Sequence, residues 1–335
     1  MSSFGLILLA IAAALLAFDI GLRIKATPEI AQILETVPPF SVSVAPADTE
    51  AIDIEFPSSD GLTLAGSLYL PDSPRGVVVF CHELYGNRWT AMRYCRPLFE
   101  AGYAVLSFDY RNHGSSDQLA NYEPTHWLTQ YEVSDTMAAL EYVRRDEALA
   151  GIPIGLFGVS RGGSAALAVA AQCPDIQVIL ADGAFSLKVM VPLFVRQWGE
   201  IYVPRWLIRN VPMWHLKSVV ALASWASQRR KNCRYFDLES MLPRLADRKV
   251  LLISGKRDSY VKPAVTKLLA SRIGSGCGVW VVPQAKHNKA VEIDPREYAA
   301  RSLALFDSAF EPQQEEPDSR NPVEAGHRRP QWLSG

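Results

Sequence analysis

The chain has 335 residues, of which 49% are hydrophobic and 21% charged, and its formal net charge is -1. This balance is typical of a folded globular protein with one large core. It gives no reason to expect a nucleic-acid partner, because binding to phosphates needs a dominant basic face. No two of the five cysteines have the CxxC spacing of a metal or redox site, so we expect reduced, mostly buried thiols.

The first element is an unbroken apolar run, Phe4 to Phe18, that extends to Leu22 and is barely long enough to span a bilayer. A cleaved signal peptide is the alternative, but no basic residue precedes the run, and Leu15 spoils the best cleavage site after Ala17. We therefore expect residues 1–23 to form a transmembrane anchor or an uncleaved signal.

Residues 24–50 are rich in proline and are expected to form a linker, which argues against a buried core helix at residues 1–23. Arg23 and Lys25 directly follow the apolar run. The positive-inside bias then predicts a single-pass membrane protein with its folded domain on the cytoplasmic side, and free cysteines agree with that side.

Beyond the linker, Ile52–Phe56 and Leu62–Leu70 flank an Asp-Gly step, which predicts an antiparallel hairpin. Apolar strands then alternate with helical patterns, as is typical of a parallel sheet covered on both faces. The predicted strands are Val77–Cys81, Tyr103–Phe108, Pro153–Phe157, Ile176–Ala181, Val250–Ser254 and Val279–Val282. The predicted helices are Ala91–Glu100, Tyr131–Arg145, Arg161–Gln172, one after Pro263, and one from Pro295 to about Phe310. The predicted fold class is α/β, with a mostly parallel sheet and an antiparallel N-terminal hairpin.

The alternation stops over residues 185–244, which contain several Trp, Arg and Pro residues and no predicted strand. We interpret this stretch as a helical cap inserted into a domain that spans residues 51–310. Residues 311–335 are polar and Pro-rich, and are expected to be disordered.

A serine stands where an apolar strand ends and an Ala-rich helix begins, in Gly158-Val159-Ser160-Arg161-Gly162-Gly163. Such a sharp turn strains the backbone, and side chains at Gly158 or Gly162 would collide with adjacent strands. We predict that Ser160 is a catalytic nucleophile, the alternative being an ordinary Gly-rich turn.

A serine nucleophile needs a base and an acid that orients the base. His287 follows a late strand, and loops at strand C-termini converge on one edge of a sheet, so it is the predicted base. Asp258 follows the preceding strand and is the predicted acid, with Asp182 at the end of another strand as its rival. The predicted oxyanion-hole donors are the backbone N–H groups of Leu84 and Arg161.

Several segments together resemble the α/β-hydrolase superfamily, in its branch of serine aminopeptidase-like and acyl-ester hydrolases. They are His82–Arg88, Phe108–Ser116, the turn around Ser160, Asp258 and His287-Asn288, and the resemblance covers about Ile52 to Phe310. It implies a Ser-His-Asp triad without a metal or organic cofactor, and a structural role for Asp109 and His113. The chain departs from the family at Glu83, where a glycine is usual after the oxyanion-loop histidine. His82 is expected to pack beneath this loop rather than to act as a second base.

These features predict a membrane-anchored serine hydrolase of ester or thioester bonds in small or lipid-like apolar acyl substrates. Tryptophans at 198, 206, 214 and 225 alternate with basic residues in the cap. They either pack the cap onto the body or lie against anionic lipid. A peptidase would call for acidic residues in the cap, and a catalytically silent, membrane-tethered binding module is the third hypothesis.

Overall fold

The computed structural model describes residues 3–36, 44–191 and 212–310 of the chain. The predicted tail 311–335, and the part of the predicted cap at 192–211 with Trp198 and Trp206, lie outside the described residues.

The described elements follow the predicted alternation of strands and helices. The strands are β1 (Ile52–Pro57), β2 (Thr63–Tyr69), β3 (Val77–Cys81), β4 (Ala104–Phe108), β5 (Ile154–Val159), β6 (Val178–Asp182), β7 (Lys249–Gly255) and β8 (Cys277–Val282). The helices are α1 (Ser3–Glu35), α2 (Ala91–Glu100), α3 (Gln130–Arg145), α4 (Arg161–Ala170), α5 (Met213–Arg230), α6 (Leu238–Met241), α7 (Pro263–Ile273), α8 (Ala290–Ile293) and α9 (Pro295–Phe310).

The strands form one sheet in the order β1-β2-β4-β3-β5-β6-β7-β8. Strand β2 is antiparallel to both of its neighbours, whereas β3 to β8 pair in parallel. The predicted α/β class and its N-terminal antiparallel hairpin are confirmed. Because the carboxyl ends of parallel strands meet at one edge, the loops after β3, β5, β6, β7 and β8 are brought together there.

Both faces of the sheet are covered, and every residue of the central strands β3 to β6 is buried. Helix α4 is also buried along its whole length. This explains its Gly- and Ala-rich sequence, because only small side chains let a helix lie so close to a sheet.

The N-terminal helix α1 differs from the sequence prediction. It continues past the apolar run to Glu35, so the predicted linker is wrong over residues 24–35. The reason is tertiary packing, since Ala31 and Leu34 are fully buried in the core of the body. Pro28 lies inside this helix.

Candidate active site

Ser160 occupies the sharp turn between β5 and α4. Its backbone angles are φ 53° and ψ −119°, a region that residues with a side chain rarely adopt. Strain of this kind costs about 1–3 kcal/mol and persists only where the surroundings enforce it. One such restraint is the hydrogen bond of 2.7 Å from Ser160 N to Asp182 O on β6.

The glycines around Ser160 are required by close backbone approach. A Cβ atom at Gly158 would lie 2.3 Å from the carbonyl oxygen of Gly162. One at Gly162 would lie 2.1 Å from the carbonyl oxygen of Cys81 at the end of β3. Backbone atoms cannot yield as a flexible side chain can, so the turn accepts no side chain at either position.

The three predicted triad residues are hydrogen-bonded in sequence. Ser160 Oγ lies 2.9 Å from His287 Nε2, and His287 Nδ1 lies 2.7 Å from Asp258 Oδ2. The second carboxylate oxygen of Asp258 accepts hydrogen bonds of 2.8 Å from the backbone N–H groups of Tyr260 and Val261. These bonds fix the carboxylate, which in turn orients the imidazole.

Asp182, the rival acid, has a different hydrogen-bond partner. Its Oδ2 accepts a hydrogen bond of 3.1 Å from Tyr298 Oη. Burial raises the pKa of Asp182 to about 6 from its ordinary 3.8, although the Tyr298 hydroxyl and His287 favour the ionised form. Both protonation states of this carboxyl are therefore close in free energy near neutral pH.

The raised pKa makes a testable statement about stability. The folded protein holds the Asp182 proton more tightly than the unfolded chain, so this group's contribution to stability is full below about pH 4 and is lost as the pH rises through about 6. We expect Asp182→Asn to gain stability over wild type between pH 4 and pH 8, on the order of 3 kcal/mol for a shift of about two pK units. Denaturant unfolding at both pH values measures this gain. Asp247→Asn, at an exposed position, is the control, and a pH-independent Asp182→Asn difference would contradict the assignment.

The two predicted oxyanion donors lie in the loop after β3 and at the start of α4. Leu84 is buried, and the next residue, Tyr85, has a positive φ of 61° that turns the chain at this point. Arg161 is the first residue of α4, where backbone N–H groups have no intrahelical acceptor. Among the described residues, no protein acceptor is assigned to either N–H group.

His82 supports this loop from below, as predicted. Its Nε2 accepts a hydrogen bond of 3.2 Å from the Tyr110 backbone N–H, and its Nδ1 lies 2.6 Å from the Glu83 carbonyl oxygen. Burial lowers the pKa of His82 to about 4, so the ring is neutral at pH 7 and both nitrogens are used.

Glu83, the departure from the family pattern, belongs to the same loop and is buried. Its Oε2 has no hydrogen-bond partner among the described residues and would lie 3.3 Å from a Cβ atom at Gly86. Burial raises the pKa of Glu83, against the opposing influence of Arg93, His287 and Lys289. Burial therefore works against the charged form of Glu83, which is the form that would repel a developing oxyanion.

Two buried arginine side chains, whose contacts the sequence analysis did not predict, hold the loop that follows β4. The Arg161 side chain donates to Thr125 O at 2.8 Å and to His113 Nε2 at 3.2 Å. Arg111 is held by Asp60 and Asp135, with hydrogen bonds of 2.6–3.1 Å. The sequence feature that could have drawn attention to the Arg161 side chain is its position directly after the predicted nucleophile.

Asp109, predicted to be structural, accepts hydrogen bonds of 2.7 Å from the Arg88 backbone N–H and from the Arg88 side chain.

An aromatic cluster that the sequence analysis missed adjoins the histidine of the triad. The Tyr260 ring lies 5.3 Å from that of His287, and Phe185 lies 5.5 Å from Tyr260 and 5.8 Å from Trp127. We call His126, Trp127, Phe185 and Tyr260 the aromatic wall, because His126 joins it through both Trp127 and Tyr260. The sequence feature that could have revealed this cluster is Tyr260, which stands two residues after the predicted acid Asp258.

The described part of the predicted cap contains helix α5. This helix packs against α1, and its Val220 and Ala223 are buried in the core. Trp214 and Trp225, in contrast, are 68% and 59% exposed. Here the two tryptophans do not pack the cap onto the body.

Comparisons with known proteins agree with this architecture. The sequence model of the alpha/beta hydrolase family matches residues 78–301, more than half of the chain. Among curated proteins, thiohydrolase aneE of Aspergillus aculeatus is 31% identical over 153 residues, which cover 45% of each chain. The chain thus spans less than half the length of the first curated relatives that it matches.

Solved structures extend the likeness to most of the chain. Esterase Pf2001 of Pyrococcus furiosus superposes with a TM-score of 0.59 and 21% identity, covering 83% of this chain and 98% of the esterase. The hydrolase GrgF of a Penicillium species gives a TM-score of 0.61 at 15% identity, covering 78% and 99%. At these identities the structures establish the fold and leave the substrate open.

Proposed function

Because this chain belongs to the alpha/beta hydrolase family, we propose that it is a serine hydrolase that cleaves esters or thioesters of apolar acyl groups. The observation that carries the proposal is the continuous hydrogen-bonded array of Ser160, His287 and Asp258 at the carboxyl edge of the sheet. The strained turn at Ser160 and the alignment of a helix N-terminus behind it support the same role.

The reaction begins when His287 Nε2 removes the proton from Ser160 Oγ as that oxygen attacks the carbonyl carbon. Asp258 accepts a hydrogen bond from Nδ1 and stabilises the imidazolium that forms. The carbonyl oxygen becomes an oxyanion and is stabilised by the N–H groups of Leu84 and Arg161. His287 then gives its proton to the departing alcohol or thiol, which leaves an acyl group on Ser160. Water, deprotonated by the same histidine, hydrolyses this acyl-enzyme.

The substrate class follows from the surroundings of the triad. Tyr260, the member of the aromatic wall that is partly exposed, packs against His287 and gives the triad an apolar neighbour, which suits a hydrocarbon acyl group. The relatives include one protein named a thiohydrolase and another named an esterase, which favours these two bond types.

The first helix is the proposed membrane anchor. An 18-residue window of α1 has a mean hydropathy of 2.4, and none of it is buried in the body, as a single span or a signal sequence requires. The uncleaved span is favoured because α1 continues without interruption into residues that pack against the body. Arg23 and Lys25 favour a catalytic domain on the cytoplasmic side.

A peptidase of the same fold is the competing enzyme, but the sequence of the cap offers mainly basic residues, which do not attract a substrate amine. The hypothesis of a catalytically silent binding module was based on a charged Glu83 beside the oxyanion site. Because burial favours the neutral carboxyl, that objection to catalysis is weakened.

We expect the reconstituted full-length protein to hydrolyse p-nitrophenyl esters with kcat/KM that rises as the acyl chain lengthens from two to about eight carbons. The reason is that each methylene buried against the aromatic wall contributes about 0.8 kcal/mol at most. The matched thioesters should follow the same order, and amino-acid p-nitroanilides should be poor substrates. A steady preference for acetyl esters would overturn the proposed acyl class, and preferred cleavage of the anilides would favour the peptidase.

A further inference from the structure

Helices α1 and α5 lie side by side and run in the same direction. Arg23 Nη1 donates a hydrogen bond of 2.9 Å to Ser218 Oγ, and Arg230 Nε donates one of 2.9 Å to Glu35 Oε1. The two residues of each pair are 195 positions apart in the chain. A constant separation at both ends means that the helices are parallel and in register over about 12 residues, or about 18 Å.

This register fixes the level of α5 along the first helix. Subtracting 195 positions puts Trp214 beside Asp19, and the 3.2 Å contact between Asp19 Oδ1 and His215 Nδ1 agrees with that level. Helix α5 therefore begins where the exposed apolar run of α1 ends, directly after Phe18.

The side chains exposed at this level suit a membrane interface. Trp214 is an exposed indole, and Lys217 is an exposed cation less than one helical turn further along. Indole rings concentrate at the level of lipid headgroups, and a lysine near the surface is attracted to anionic headgroups.

We propose that the first turn of α5 is a membrane-contact surface, in which Trp214 and Lys217 lie at the headgroup level of the bilayer that α1 spans. The occupant of this surface is the lipid interface, favoured because the adjacent exposed apolar run is continuous with it. The inference rests on the proposal that α1 is a membrane span, and it is independent of whether Ser160 is a nucleophile.

The same register limits how far the aromatic wall, which contacts His287, can lie from the bilayer. The Leu34 carbonyl accepts a hydrogen bond of 2.9 Å from Trp127 Nε1, so the end of α1 touches the aromatic wall. Leu34 is 15 residues beyond Asp19, or about 22 Å along the helix. The wall therefore stands off from the interface by at most that distance, which is the longest path that an acyl substrate in the bilayer would have to cover to reach it.

The test measures membrane depth at two positions on one face of α5. Trp214 and Trp225 are 11 residues apart, which returns to nearly the same side of a helix about 16 Å further along. A nitroxide label is attached in turn to Trp214→Cys and Trp225→Cys in full-length protein that also carries Cys277→Ser, because Cys277 is the partly exposed member of the native thiols. The protein is reconstituted in vesicles of phosphatidylcholine and phosphatidylglycerol.

We expect the label at position 214 to collide severalfold less with a water-soluble nickel chelate than the label at 225, and more with oxygen. Equal exposure of both labels to the chelate overturns the proposal, and equal protection of both means that α5 lies flat on the membrane, which also overturns it. Dipolar broadening between labels at 214 would identify a second copy of the chain as the occupant instead. The same collision measurements on labelled protein that also carries Ser160→Ala should give the same result, because the membrane contact does not depend on catalysis.

Discussion

Replacing Ser160 by alanine is expected to lower kcat for ester hydrolysis by about 10⁴- to 10⁶-fold, because loss of the nucleophile leaves only binding and oxyanion stabilisation. KM should change little, since the side chain lost is small and lies in a fixed turn. The variant should also lose labelling by a fluorophosphonate probe, which reacts with activated serines. Steady-state kinetics and labelling of the purified protein measure both effects.

Ser271→Ala is the matched control, because Ser271 is an exposed serine on α7 and should keep full activity and labelling. Circular dichroism must show that both variants are folded. A folded Ser160→Ala protein that is labelled as strongly as wild type would mean that another serine reacts. A folded wild-type protein that resists the probe altogether would favour the silent binding module.

Asp258→Asn is the second large effect that we expect, with kcat reduced by about 10⁴-fold. An asparagine keeps the shape of the side chain and can still accept the backbone N–H bonds of Tyr260 and Val261. It cannot hold His287 in the tautomer that accepts the serine proton, nor stabilise the imidazolium. The loss should therefore appear in kcat at every pH at which the protein is folded.

Asp182→Asn provides the matched comparison, since Asp182 is also a buried carboxyl that follows a strand at the same edge. Its carboxyl is hydrogen-bonded to Tyr298 and not to the imidazole, so its replacement should change kcat by less than about tenfold. If Asp182→Asn proved the more damaging of the two, the assignment of the acid would have to be exchanged.

The sequence predicted most of the sheet because its strands are continuous apolar runs bounded by turn residues. Strand β3 and helices α2 and α9 have the bounds that the pattern predicted, and the other strands and the helices α3 and α4 differ from it by a few residues. Ser160 was identifiable because the glycines at 158 and 162 are a local necessity of its turn. His287 followed from its place after a late strand.

Other features could not be read from local sequence. The choice between Asp258 and Asp182 depends on which carboxylate faces the imidazole across 29 residues of chain. The aromatic wall is assembled from loops after different strands, and none of its members stands in a pattern that marks it.

The N-terminal helix shows most clearly which features depend on the sequence alone and which depend on the tertiary structure. Its apolar run and its ability to span a bilayer are set by composition alone, since both depend only on successive side chains. Its continuation to Glu35 was decided by the tertiary structure, because Ala31 and Leu34 bury their side chains against the body and Arg23 and Glu35 find partners on α5. The sequence thus determined the fold, the candidate nucleophile and the apolar helix, whereas contacts between distant segments favoured Asp258 as the candidate acid and set the level along α1 at which α5 begins.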